Sequence, residues 1–156
     1  MSTNRKPVPA RRRFLAGAGV AASTAVAAAS AQAPAATSGK VKTPGGYRIG
    51  NVYFSSGLTG VRAEARKDAL AFGGDVKEQT HNILKAHQKN LEAMGSSLDN
   101  VVKVTAFLAD VKTQKPAFNE AYAEYFKKDA PARTALGAIF PETQTLVEIE
   151  LVAWVP

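Results

Sequence analysis

The sequence has no cysteine among its 156 residues, which excludes disulfides, zinc–thiolate sites and thiol catalysis. After residue 40 no segment approaches the roughly 20 apolar residues that a membrane-spanning helix needs. Acidic residues are absent before Glu64, whereas five of the 20 basic residues lie in the first 13 positions. Hydrophobic residues make up 46% of the chain and charged residues 21%, which is typical of a globular protein rather than a disordered one.

The net charge of +7 is concentrated at the amino terminus. Beyond residue 13 the chain carries 15 basic and 13 acidic residues, a net charge of only +2. A domain that binds nucleic acid through phosphate contacts usually carries a denser basic stripe. The basic residues therefore indicate a targeting segment, and we expect no nucleic-acid partner.

Residues 1–31 have the three-part pattern of a signal peptide. Two arginines, any residue and two apolar residues occur at 11–15, a weakly apolar run follows at 16–29, and small residues precede Ala31. We expect a twin-arginine signal peptide that is cleaved after Ala31, with the twin-arginine export machinery as a partner and a periplasmic or secreted product. The alternatives are a retained membrane anchor, and a basic tail followed by an alanine-rich helix.

Residues 32–40 are predicted to form a flexible leader, and residues 41–156 one domain of the α+β class. Its predicted order is ββ(β)αβαββ, with strands at 41–48, 51–56, 100–109, 132–139 and 146–154, a short strand near 69–72, and helices over 75–94 and from Lys115-Pro116 onward. Lys127 and Lys128 are expected to complement the dipole at the end of the second helix.

Two helices cannot cover both faces of a five- or six-stranded mixed sheet, so we expect them to pack on one face. The first strand after the long helix is predicted to present Val102, Val104, Ala106 and Leu108 on one face. In the last strand Val147, Ile149, Leu151 and Ala153 are expected to face the helices. The other face of that strand holds two glutamates among apolar residues, which indicates an oligomer interface or a ligand wall.

Six segments form a distinctive series: GNVYFSSG at 50–57, the glutamine- and asparagine-bearing helix at 79–95, NVVKVTAFLAD at 100–110, FNEAYAEYF at 118–126, PART at 131–134 and VEIELVA at 147–153. In this order they resemble motifs of the RidA/YjgF family of imine deaminases. The resemblance implies a chorismate-mutase-like fold that assembles as a homotrimer, with ligand clefts between subunits. It also implies hydrolysis of 2-imino acids and enamines to 2-oxo acids and ammonia, without a metal or an organic cofactor.

The same resemblance implies roles for particular residues. Arg133 matches the arginine that pairs with the substrate carboxylate, which suits a planar guanidinium that is always charged. Glu148 matches the glutamate that orients the attacking water. The remaining implied substrate-binding residues are Ser56, Gly57, Asn119, Ala135 and Tyr47. Three features depart from the family: Tyr47 lies only three residues before Gly50, Ala135 stands where the family often has cysteine, and the segment between Phe126 and Pro131 is short. The substrate is therefore left open.

Other chemistry is weakly indicated. His81 and His87 are six residues apart on a helix and point to different sides of it, so no metal site is expected. Tyr122, Tyr125 and Phe126 are interpreted as helix core. Two other functions remain open: a non-catalytic trimer that binds small carboxylates or shields unfolded chains, and a ribonuclease, which the charge and the export signal disfavour.

Overall fold

The computed structural model of the chain describes residues 39–60 and 73–156. The predicted signal peptide, most of the predicted leader and the predicted strand near 69–72 lie outside the described residues. Among the described residues, no helix is both long and apolar enough to cross a bilayer.

Within the described residues, seven strands and two α-helices form one mixed sheet with a helical layer. The elements are β1 (Lys40–Thr43), β2 (Gly46–Ile49), β3 (Val52–Ser55), β4 (Leu58–Thr59), α1 (Val76–Glu92), β5 (Val101–Leu108), α2 (Val111–Ala123), β6 (Ala132–Gly137) and β7 (Val147–Trp154). The strand order is β1-β2-β3-β7-β5-β6, and β4 also pairs with β7. The β5–β6 pair is parallel and the other pairs are antiparallel. The α+β class is confirmed.

The segment predicted as one strand over 41–48 is a hairpin of β1 and β2, so that prediction was wrong. The chain reverses at Pro44-Gly45, where Gly45 has a φ of +66° that residues with a side chain rarely adopt. The hydroxyl of Tyr53 donates a hydrogen bond to the carbonyl oxygen of Pro44 at 3.0 Å. This hairpin and the short β4 raise the described strand number to seven, above the predicted five or six.

Helix α1 confirms the prediction from periodicity. Asp75 caps its first turn by accepting a hydrogen bond from the backbone nitrogen of Glu78 at 3.0 Å, as an N-cap aspartate should. One side of the helix is buried against the sheet, and its buried residues are Val76, Gln79, Thr80, Ile83, Leu84, His87 and Leu91. The helix therefore supplies one continuous wall of the core.

Helix α2 begins at Val111, earlier than predicted. Asp110 accepts hydrogen bonds from the backbone nitrogens of Lys112 and Thr113 at 3.0 and 3.4 Å, so the cap lies six residues before Pro116, and the proline falls inside the helix. The helix ends at Ala123 with no basic residue in its last turn. The predicted dipole contact from residues 127–128 was therefore wrong.

The core lies between the two helices and one face of the sheet. On β7 the predicted helix-facing residues Val147, Ile149, Leu151 and Ala153 are all buried. A bulge on β5 interrupts the predicted alternation, since the register against β7 shifts between Val101 and Lys103. Val101 is therefore buried, whereas Val102 is 54% exposed. The prediction that Val102 shares the core face was wrong, because a bulge adds one residue to the count.

Candidate functional site

Arg133 lies on the edge strand β6, which pairs only with β5 among the described strands. It is in register with Val104, a fully buried core residue, so it projects from the face that the helices cover. Its Nη2 donates a hydrogen bond to Oδ1 of Asn119 on α2 at 2.8 Å. The structure thus brings together two of the residues that the sequence motifs pointed to.

Two aromatic rings of α2 form a floor under the guanidinium. The Cζ atom of Arg133 lies 4.5 Å from the ring centroid of Tyr122 and 5.3 Å from that of Phe118. Such stacking covers the planar face of a guanidinium and leaves its in-plane N–H groups for a ligand. Among the described residues, no carboxylate lies within ion-pair distance of Arg133. The group is therefore a cation whose charge is available to an anionic ligand.

Burial raises the pKa of Tyr122 to about 12, and the nearby charge of Arg133 acts in the opposite direction. The phenol is therefore neutral at physiological pH, and Arg133 meets a ring face rather than a phenolate. Ala135 follows two residues later on the same face of β6, in register with Ala106. Its small side chain is half-buried beside the core.

Glu148 lies on the other face of the sheet, which no described helix covers and which we call the open face. It is in register with Thr59 on one side and Phe107 on the other, and it is half-buried. A Cβ atom added to Gly57 would overlap the carboxylate of Glu148. A glycine at position 57 therefore lets the backbone approach this carboxylate closely.

Ser56 directly precedes Gly57, and Tyr47 lies on β2. Ser56 is exposed, and its backbone nitrogen donates to the carbonyl oxygen of Gly45 at 2.8 Å. Tyr47 lies on the open face in register with Phe54, with the Nζ atom of Lys40 4.4 Å from its ring centroid. One strand, β3, lies between the strand of Tyr47 and β7.

One protomer does not bring Arg133 and Glu148 together. The two side chains project from opposite faces of the sheet, and β5 lies between their strands. The predicted site residues therefore form two groups. Arg133, Asn119 and Ala135 belong to the helix-covered face, whereas Glu148, Gly57 and Tyr47 belong to the open face.

A shallow cavity of about 90 Å³ also opens on the open face. Its lining residues are Phe54, Ser55, Lys103, Thr105, Glu150, Leu151 and Val152, and none of them is a predicted site residue. Within it, the Nζ atom of Lys103 donates to Oγ1 of Thr134 at 2.6 Å. Among the described residues, no cluster of three or more histidine or acidic side chains could hold a metal ion.

The prediction that Tyr122 belongs to the core is confirmed. The contacts of Tyr122 and Phe118 with Arg133 were not predicted. The spacing of these residues within α2 was the one sequence signal that they share a side of the helix. Tyr122 lies four residues after Phe118 and three after Asn119, the spacings that make helix side chains neighbours. Only the parallel register of β5 and β6 shows that this side meets Arg133.

Known proteins share this sequence pattern. The family model described as Endoribonuclease L-PSP matches residues 30–155. A RutC family protein of Pyrococcus abyssi is 35% identical over 107 residues, which cover 69% of this chain and 81% of that protein. A RutC family protein of Pyrococcus horikoshii is 42% identical over 81 residues, covering 52% of this chain and 64% of that one. The chloroplastic Reactive Intermediate Deaminase A of Arabidopsis thaliana is 34% identical over 106 residues, covering 68% of this chain and 54% of that protein.

Solved structures share the fold. A protein of Entamoeba histolytica described as an endoribonuclease L-PSP superimposes with a TM-score of 0.63 at 32% identity, covering 71% of this chain and 86% of that one. A Mycobacterium tuberculosis member of the YjgF/YER057c/UK114 family gives a TM-score of 0.61 at 26% identity, covering 71% of this chain and 85% of that one. The chain therefore belongs to the Endoribonuclease L-PSP family, the RidA/YjgF family whose motifs its sequence resembles.

Proposed function

We propose that this protein is an imine deaminase that hydrolyses reactive 2-imino acids, such as 2-iminopropanoate, to 2-oxo acids and ammonia. The observation that carries the proposal is the guanidinium of Arg133, which Asn119 and an aromatic floor hold in place and which has no described carboxylate partner. A guanidinium held in this way suits bidentate binding of a carboxylate. The name of the Arabidopsis relative, Reactive Intermediate Deaminase A, supports the reaction class.

The chemistry needs only a carboxylate anchor and a base. Arg133 binds the substrate carboxylate, and water attacks the imine carbon while the carboxylate of Glu148 accepts a proton from that water. Glu148 passes that proton to the imine nitrogen, which gives a neutral carbinolamine. Glu148 then accepts the hydroxyl proton of the carbinolamine and delivers it to the amine nitrogen as the carbon–nitrogen bond breaks, so that a carbonyl group and ammonia form. The products are one 2-oxo acid and one ammonia for each imine and water consumed.

Because Arg133 and Glu148 project from opposite faces of the sheet, we propose that the site forms between copies of the chain in a homotrimer. One copy supplies Arg133 and Asn119, and the next supplies Glu148 and Gly57. The open face carries large exposed apolar side chains, as expected of an interface. They are Tyr47, Ile49, Val52, Phe54, Leu136 and Trp154.

The test is ammonia release from freshly generated 2-iminopropanoate by the purified full-length protein. We expect Arg133→Ala to lower kcat/KM by about a hundredfold or more, because it removes the carboxylate anchor. Glu148→Gln should lower kcat by roughly 10²-fold or more, because it removes the base.

Lys115→Ala and Glu142→Gln are the matched controls, since they remove charges of the same signs from exposed positions on α2 and on the turn before β7. Both should leave turnover unchanged. Turnover that survives Arg133→Ala would remove this residue from the mechanism. No turnover by an assembled wild-type protein would favour a non-catalytic trimer that binds small carboxylates.

We also propose that residues 1–31 are a twin-arginine signal that exports the folded protein to the periplasm or beyond. Its support is the sequence pattern at 11–15. Changing Arg11 and Arg12 together to lysine should retain the uncleaved protein in the cytoplasm, as fractionation would show, whereas the control Arg5→Lys should be exported. Export of the double variant would contradict this proposal.

RNA cleavage is a second candidate because the family model is described as Endoribonuclease L-PSP. The net charge of +2 beyond residue 13 offers little electrostatic attraction for a polyanion. RNA cleavage that persists at physiological salt and disappears with Arg133→Ala would favour this candidate over the deaminase.

A further inference from the structure

Three aromatic side chains spaced four residues apart form a stack beside the strand that carries Arg133. The ring centroids of Phe118 and Tyr122 are 5.6 Å apart, and those of Tyr122 and Phe126 are 4.5 Å apart. Phe118 is fully buried, Tyr122 is 6% exposed and Phe126 is 9% exposed. Such rings cannot change rotamer without disturbing the core. The stack is therefore a rigid surface, and its middle ring is the one closest to the guanidinium.

We propose that Tyr122 is a positioning residue, whose ring face fixes the plane of the Arg133 guanidinium so that its N–H fork meets the substrate carboxylate. This inference rests on the proposed function, in which Arg133 binds that carboxylate. Arginine on an exposed edge strand has many rotamers of similar energy, and ordering it costs conformational entropy. The ring and the hydrogen bond to Asn119 meet that cost during folding, before the ligand arrives.

The ring rather than the hydroxyl carries this role. The hydroxyl oxygen of Tyr122 is buried and has no hydrogen-bond partner among the described residues. Replacing it with hydrogen therefore removes no bond to Arg133 or to Asn119. Tyr122→Phe keeps the aromatic face and should leave carboxylate binding within about twofold of wild type, because phenylalanine and tyrosine offer similar ring faces to a cation.

Tyr122→Leu removes the ring and keeps an apolar side chain in the core. We expect it to weaken carboxylate binding about tenfold, the size of effect that a partly desolvated cation–π contact supports. The effect should appear mainly in KM, with kcat within about threefold of wild type, since the ring positions the carboxylate anchor and the base Glu148 comes from another copy in the proposed site.

Phe126→Leu is the matched control. It removes a buried ring that also stacks on Tyr122, but among the described cation–ring contacts Phe126 makes none with Arg133. Both leucine variants should destabilise the fold to a similar extent, as urea unfolding would show. A merely structural role for Tyr122 would therefore give both variants the same binding and the same KM.

The experiment measures KM and kcat for 2-iminopropanoate. It also measures, by calorimetry, the Kd for pyruvate, which carries the same carboxylate and binds without being turned over. The inference predicts a tenfold higher Kd for Tyr122→Leu, and near wild-type values for Tyr122→Phe and Phe126→Leu. Equal Kd values in the two leucine variants, an equal loss in Tyr122→Phe, or no pyruvate binding by the wild type would overturn it. Pyruvate binding in the predicted order without any turnover would leave the positioning role supported and the deaminase proposal refuted.

Discussion

The two faces of the sheet show how one strand can serve two purposes. Along β7, side chains that face the helices are buried, and Ile149 and Ala153 are fully so. The alternate residues reach the open face, where Trp154 is 47% exposed and Glu148 is half-buried. The covered face supplies the hydrophobic core, whereas the open face combines apolar side chains with carboxylates. The two-residue period of β7 thus separates core side chains from those that stay accessible on the open face.

The same separation divides the candidate site. Arg133 is fixed by helix α2 on the covered side, and Glu148 stands against Gly57 on the open side. In a single chain, the residues that we propose as the carboxylate anchor and the base therefore do not meet. The proposed mechanism thus requires assembly as well as folding.

The largest expected effect comes from placing a charge on the open face. Phe54 is 47% exposed on that face and Val41 is 44% exposed on the opposite face of the edge strand β1. If the open face is the interface between copies, Phe54→Glu should convert the assembly to single chains, because an unpaired buried carboxylate is costly. Sedimentation should show this loss together with loss of turnover, and Val41→Glu should leave both unchanged. An intact assembly in Phe54→Glu would show that the open face is not the interface between copies.

A smaller effect separates two residues of β7. Ile149 is fully buried, so Ile149→Ala should lower the free energy of unfolding by about 2–5 kcal/mol at any protein concentration. Val152 faces the open side, and the cost of Val152→Ala should grow with protein concentration, since its burial depends on assembly. Urea unfolding at two concentrations distinguishes these cases, and the same concentration dependence in both variants would contradict the account.

The smallest effect concerns His87, on the covered side. Burial lowers the pKa of His87, while its hydrogen bond to the carbonyl oxygen of Ile149 acts in the opposite direction. The folded state therefore keeps the ring neutral where the unfolded state, with a pKa of about 6.5, takes up a proton. Stability should be complete above about pH 6.5 and fall as the pH drops towards the lowered pKa, by at most about 1.4 kcal/mol per pH unit.

Urea unfolding of wild type and His87→Gln between pH 5 and 8 checks this slope. The variant should lose the part of the pH dependence that His87 contributes. The control is His81→Gln, which changes a half-buried histidine on the same helix, α1. An unchanged slope in His87→Gln would show that the ring is charged, or absent from the core, in the folded state.

The sequence was sufficient where structure follows a local period. Helix α1 was predicted because Asp75 can cap it and its apolar residues recur every three or four positions. The two faces of β7 were predicted from simple alternation. The bulge at Val101–Val102 was not, because it depends on pairing with the distant strand β7. The hairpin at Pro44-Gly45 was also missed, although its two strands are adjacent in sequence and Pro-Gly is a local turn signal.

The candidate site was predicted in its members but not in its arrangement. The motif at 131–134 pointed to Arg133, and the motif at 147–153 pointed to Glu148. That they face opposite ways follows from the register of β6 on β5 and of β5 on β7, which no motif encodes. The contact of Tyr122 with Arg133 was likewise invisible, since a core aromatic and a cation-supporting aromatic have the same helical spacing.

The central claim, that one site joins the covered half of one copy to the open half of another, is tested most directly by mixing two inactive variants. Arg133→Ala and Glu148→Gln proteins would be unfolded together, refolded at equal concentrations and assayed for ammonia release from 2-iminopropanoate. The account predicts recovery of about a quarter of wild-type turnover, because random assembly pairs an intact Arg133 with an intact Glu148 at one site in four. Turnover no greater than that of the two variants refolded separately would contradict it.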